Sequence, residues 1–368
     1  MRILLAGLAC LLIGIALTEY TRRHPTRSET SETATEPGAP KKPKLPKAVA
    51  ALVALDEPGT TRLVADAKLA ATLGAPTSAP LAGFASLTEG AFTARELKGG
   101  FGAALFIIEA GGQTGVVRAA SGEPAKLLFS TSNPLTALAV DGSTVFFAEG
   151  GLLVSTSARG DEAPSVRARF KNAIVTSIAA SGDTVVVTLM PKDADPQSTD
   201  AVGAIVTLSS AGEITLIAQD QVRPRAAQTD GKDAYWLAGY PSGLWRGALD
   251  GAFSSQLSDK AEEPLVLDGD GLYFRSPLGS GPELRRVGRA GGNLSTLIAA
   301  DVGFLAASSG LVRFATLGAG PGLLEMTLGA EATKLLTIPG SARGLALGGT
   351  SLFLLTQADD GRTTLWAK

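Results

Sequence analysis

Few residues in this chain have the chemistry of catalysis, and the most reactive of them stand outside its main body. The single cysteine, Cys10, lies in an N-terminal apolar run, and the single histidine, His24, follows that run closely. A disulfide scaffold, a cysteine-held metal and a histidine base are therefore excluded from everything downstream. Carboxylates and cations remain. Asp193, Asp195 and Asp200 cluster in the stretch from Pro191 to Asp200, and clustered carboxylates suit a hard cation such as calcium. The stretch lacks the glycine and distal glutamate of an EF-hand loop, so a solvated acidic loop is the favoured reading. Arg95, Arg225 and Arg343 lie near the innermost strands of three units, where they could line an anion-attracting channel or serve as rim charges. Tyr235, Trp236 and Trp245 read as packing residues. No catalytic, cofactor-binding or metal-binding residue is assigned.

The elements that would position these side chains come from a weak repeat. Short apolar triplets follow glycine turns, and their central residues are Phe106, Phe146, Val186, Tyr235, Tyr273, Arg313 and Phe353. Five of the six intervals fall within two residues of 40, and the remaining one is 49. A period near 40 matches one blade of a β-propeller. Six of the seven triplets are apolar on successive residues, as expected of strands covered on both faces. In the fifth unit, Pro264–Leu267, Leu272–Arg275, Glu283–Val287 and Leu294–Ala299 read as the four strands. The expected fold is all-β: a propeller of seven four-stranded blades over residues 48–368. The seventh unit ends after its third strand, so an N-terminal strand from Val49–Leu55 or Thr61–Ala65 is expected to complete it and close the ring.

The fifth unit, Asp268-Gly-Asp-Gly-Leu-Tyr-Phe followed by Leu284-Arg-Arg-Val and Ala290-Gly-Gly-Asn-Leu-Ser-Thr-Leu-Ile, resembles the repeats of TolB-like and related bacterial sensor-type propellers. The resemblance covers about residues 90–368. It implies a periplasmic or surface propeller used mainly for protein or ligand binding, and it concerns architecture.

Arg2 and an unbroken apolar run from Ile3 to Leu17 open the chain. Fifteen helical residues rise about 22 Å, short of a hydrocarbon core of about 30 Å. Residues 1–20 therefore read as a signal peptide or signal anchor, which places the rest in the cell envelope, inner-membrane-anchored or secreted to the periplasm. Arg22, Arg23 and Arg27 oppose that orientation. Residues 21–47, rich in Thr, Ser, Glu, Pro and Lys, read as a disordered linker.

A formal net charge of −2 provides no global basic field, so nucleic acid is not an expected partner. The expected function is a non-enzymatic scaffold of the bacterial cell envelope, monomeric, binding an envelope protein or small ligand without a cofactor. The alternative is a propeller hydrolase or lyase working through a carboxylate-held metal. Two long connections, 67–90 and 191–201, are expected on one face beside Arg223, Arg225 and Tyr240. With Lys192, Asp193, Asp195 and Asp200, these make the candidate binding surface.

Overall fold

Glycine sets the corners of this fold. In every unit, the connection from the first strand to the second holds a glycine at positive φ: Gly102, Gly142, Gly182, Gly231, Gly269, Gly310 and Gly349. An L side chain rarely takes that conformation, and the tight turn it permits starts each antiparallel blade. In the first unit the turn is Phe101-Gly102, while Gly99 and Gly100 lie in the strand itself. A Cβ on Gly99 would stand 2.1 Å from the carbonyl oxygen of Leu347 in the last blade, so a glycine is needed for that close approach.

A computed structural model describes residues 47–55, 66–75, 81, 83–195, 198–269, 271–278, 281–318 and 321–368. Among them, 28 strands, numbered here in chain order, form seven four-stranded antiparallel sheets. The fold is a seven-bladed β-propeller. The innermost strands are β2 (Thr93–Gly100), β6 (Leu135–Asp141), β10 (Ala173–Ser181), β14 (Arg225–Thr229), β18 (Glu262–Asp268), β22 (Val302–Ser308) and β26 (Ser341–Gly348). Blades 1 to 6 each run outward in chain order from one of these. The four strands read from sequence in the fifth unit all overlap observed ones: Glu262–Asp268, Gly271–Leu278, Gly281–Gly288 and Ser295–Ile298.

Closure of the ring differs from expectation in one respect. The last blade has the order β26, β27 (Ser351–Gln357), β28 (Thr363–Ala367) and then β1, the N-terminal strand Ala85–Gly90. An N-terminal strand does complete it, but the donor lies inside the stretch read as a loop from 67 to 90. Lys47–Leu52 is a short helix, α1, and Thr61–Ala65 falls outside the described residues. The physical reason lies in the partners. In β1, Thr88 and Glu89 are buried, and Phe84 just before it is buried against Trp366 and Leu354. The run Val49–Leu55 instead packs Leu52 and Val53 against the interface of blades 2 and 3. A second short helix, α2 (Ala67–Ala70), is capped by Asp66 and buries Leu69 beside Phe106.

The apolar residues form seven clusters, one at each blade–blade interface. Between blades 1 and 2, for example, Phe129 and Phe147 stack with ring centroids 4.8 Å apart. Each sheet is thus covered on both faces, which explains the continuous apolar runs. Tyr235 and Trp236 are buried at such interfaces, as expected, and Trp245 is partly buried against one. Of the expected signal segment and linker, residues 1–46 lie outside the described residues, and Lys47, the last expected linker residue, opens α1. Among the described residues no helix is long and apolar enough to cross a membrane.

Candidate functional site: the mouth of the central channel

Seven innermost strands surround a channel, and each carries the same irregularity. The pairing of first and second strands breaks register at Arg95/Lys98, Leu135/Ala137, Val175/Ser177, Arg225/Gln228, Glu262/Leu265, Val302/Phe304 and Ala342/Gly344. A bulge frees a residue from the ladder and bends its strand. The freed positions begin at Glu96, Thr136, Thr176, Ala226, Glu263, Gly303 and Arg343. All except Thr136 line the channel, a cavity of about 230 Å³.

These breaks lie near the starts of the innermost strands, and so at one end of the channel. That end faces the connections between blades and those between second and third strands, which we call the upper face. The turns marked by Gly142 and Gly269 form the lower face. The 191–201 excursion, between β11 (Thr184–Pro191) and β12 (Val202–Ser209), stands on the upper face as expected. The segment around α2 also reaches that face, where the Asp66 N–H donates to Ser130 Oγ at 2.6 Å.

The charges at the mouth are mixed. Arg225 Nε lies 3.5 Å from Glu263 Oε1, and Arg225 Nη1 donates to the Arg223 carbonyl at 3.2 Å. Arg275 bridges Glu262 at 3.7 Å and Asp301 at 3.2 Å. Arg95 donates to the Leu135 carbonyl at 2.6 Å, and Arg343 donates twice to Gln357 Oε1, at 3.0 and 2.6 Å. The three arginines read from sequence therefore do stand on innermost strands, but each is already engaged. Carboxylates accompany them, so the mouth is not a simple anion funnel.

Glu263 lines the channel with its side chain 57% exposed, and its enclosure within the lumen pushes its carboxyl above the usual 4.5. Arg225 and Lys98 pull it back, while Glu96, from the opposite side of the ring, adds to the upward push. Burial likewise lowers the Arg225 guanidinium, against the pull of Glu263. A raised folded-state value means that Glu263 stabilises the fold fully below its unfolded value and loses that contribution as pH rises through the folded one. Site-resolved NMR should find its midpoint above 4.5, moving higher in Arg225→Ala and lower in Glu96→Gln. A midpoint unmoved by either change would mean that these groups do not share one enclosed lumen.

The other sequence candidates separate. Arg223 joins the excursion, its N–H donating to the Ala201 carbonyl at 2.8 Å. Tyr240 stands on the connection after the second strand of blade 4 with 72% of its surface exposed. Asp193, Asp195 and Asp200 are exposed on the excursion, and among the described residues no three acidic, histidine or cysteine side chains form a metal-binding group. Lys192 lines a second cleft, between blades 2 and 3. Sequence reasoning missed Glu96, Lys98, Glu262, Glu263 and Asp301. A signal for the bulge position was present: in blades 1, 2, 3, 5 and 7 the freed residue stands six before the turn glycine, as Glu96 before Gly102 and Arg343 before Gly349.

No family model and no curated protein matches the chain. Solved structures do. An oligogalacturonate lyase from Vibrio parahaemolyticus is similar at 12% identity and TM-score 0.58, over 79% of this chain and 97% of that one. An acylaminoacyl peptidase from Pyrococcus horikoshii is similar at 11% identity and TM-score 0.56, over 72% of this chain; the match spans 49% of the peptidase. TolB from Acinetobacter baumannii also matches, at 15% identity and TM-score 0.44, over 74% of this chain and 63% of that one. TolB propellers are thus among the similar structures. At such identities the likeness is one of fold.

Proposed function

We propose that this protein is a non-enzymatic binding module of the cell envelope, whose partner docks on the upper face over the channel mouth. One observation carries the reading: the bulges bring Glu96, Glu263 and Arg343, from blades 1, 5 and 7, around a single opening, where Arg225 of blade 4 pairs with Glu263. That opening lies on the face from which the 191–201 excursion rises. A mouth with both signs of charge suits a protein segment or small ligand carrying both, because complementary placement fixes orientation more than it adds raw affinity. Exposed apolar side chains do not choose between the faces: Val202, Tyr240 and Leu317 are on the upper one, and Phe101, Phe253 and Leu294 on the lower. Location in the envelope is supported by Arg2 and the apolar run that follows it.

The test is chemical cross-linking of the full chain in cells, with captured partners identified by mass. Glu263→Gln combined with Arg343→Ala should lower recovery of the main partner at least about tenfold, the loss expected when charged contacts are removed from an interface. Replacing Lys192–Asp200 by a short Gly-Ser turn cuts no blade strand and should also weaken capture. Changes on the lower face, Asp141→Ala with Lys232→Ala, should leave it intact. The opposite pattern would place the partner on the lower face and refute the reading.

A further inference from the structure

A second cleft opens on the upper face, away from the channel, between blades 2 and 3. It encloses about 460 Å³, within the range of small-molecule sites. Its charge is opposite in sign to that of the whole chain. Arg169, at the end of β9 (Ser165–Arg169), Lys171, in the connection to β10, and Lys192, at the start of the excursion, all line it. Against these three cations stands one carboxylate, Glu149, which accepts a hydrogen bond from the Asn133 amide.

The backbone around the cleft is held in place from several sides. The Lys171 N–H donates to the Ala54 carbonyl and the Lys192 N–H to the Asn172 carbonyl, both at 2.9 Å. Leu55 pairs with Phe170, and the Asn172 side chain donates to the Ala51 carbonyl at 3.3 Å. The segment after α1 therefore pins the same connection that carries Lys171. On the floor, a Cβ at Gly151 would stand 2.4 Å from the Phe170 carbonyl oxygen and 2.5 Å from that of Ala173, so only glycine allows the strands to meet there. The ion pairs among the described residues include neither Lys171 nor Lys192, and both side chains are exposed.

We propose that this cleft binds a small polyanion, a molecule presenting two or more closely spaced phosphate or carboxylate oxygens. Three cations from three separate elements converge on a preformed hollow, and two of them, Lys171 and Lys192, have no ion-pair partner among the described residues. Lysines act as point charges on flexible stems and impose little planar geometry. The number of negative charges on the ligand therefore governs affinity more than its exact shape.

The test is titration of the full chain by calorimetry with pyrophosphate, citrate and acetate at low ionic strength. Pyrophosphate and citrate should bind with saturation and acetate more weakly than either. Tighter binding of pyrophosphate would name a phosphate ligand, and tighter binding of citrate a carboxylate one. Lys171→Gln with Lys192→Gln should weaken binding at least about tenfold while leaving the thermal midpoint unchanged, because both side chains are exposed. Arg343→Ala at the channel mouth should not alter it. Absence of saturable binding in the unaltered protein, equal affinity in the double variant, or loss with Arg343→Ala alone would each overturn the proposal.

Discussion

A chain that begins at residue 91 should fail to form a stable ring, whereas one that begins at residue 47 should melt like the full protein. The first lacks β1. It leaves β28 as a bare edge and uncovers Trp366 and Leu365, both buried in the closed ring. It also removes Phe84, which is 1% exposed; truncation of such a phenylalanine alone typically costs about 3–5 kcal/mol. The ion pair of Glu89 with Arg362 at 2.8 Å goes with it. Loss of the strand should thus cost more than about 5 kcal/mol, comparable with the whole stability of many domains. An unpaired edge also templates association with other chains, so the truncated protein should aggregate. Removing residues 48–66 takes away Val49, Leu52 and the Asp66 cap but no blade strand, and its effect should be much smaller. Thermal melts followed by circular dichroism, with light scattering for aggregation, separate the cases.

Trp236→Ala should be the most damaging single substitution at the interface of blades 3 and 4. The indole is fully buried among Val186, Ile205 and Ile217, and its Nε1 donates to Gln221 Oε1 at 3.0 Å. Room for it is made by Gly247, where a Cβ would stand 3.0 Å from the ring. Removing a buried tryptophan typically costs about 3–5 kcal/mol through lost transfer energy and the cavity left behind. In a domain of this size that corresponds to a fall in melting temperature of roughly 4–7 °C. Trp245→Ala, on a partly buried ring whose Nε1 has no hydrogen-bond partner among the described residues, should cost clearly less. Equal effects would mean that the two indoles carry similar shares of the interface.

The blades were legible in the sequence because their two determinants are local. A glycine at each first turn and an apolar triplet after it repeat at a near-constant interval, and both follow from geometry that each blade must satisfy alone. The closing strand was not legible for the opposite reason. Ala85-Ser-Leu-Thr-Glu-Gly90 carries no apolar triplet, and it becomes a strand through pairing with β28, more than 270 residues away. Val49–Leu55 looked better as a strand by composition and became a helix and strap. The upper-face position of the 191–201 excursion was legible from its place between the second and third strands of its blade. The charged mouth was not, because Glu96, Glu263 and Arg343 matter through a ring of bulges that only the folded blades bring to one level. Arg343 and Arg225 were noticed as cations; their acidic neighbours were overlooked because the spacing that Glu96 and Glu263 share, six residues before a turn glycine, takes on meaning only once the paired strands show a bulge there.

Closure by β1 is what gathers seven bulges around one lumen, so its register is the claim on which the rest depends. Glu89 faces Thr364 in the pairing of β1 with β28. Partners across an antiparallel pair stand about 4.5–5.5 Å apart at Cα, within the reach of a disulfide. The native Cys10 can be changed to serine, which leaves Glu89→Cys and Thr364→Cys as the only thiols. Mild oxidation of that variant should give an intramolecular disulfide, detected as a loss of both free thiols in the monomer mass. Val53→Cys with Thr364→Cys should give none. A disulfide in the second variant and free thiols in the first would contradict closure by Ala85–Gly90 and, with it, the assembly of the channel mouth.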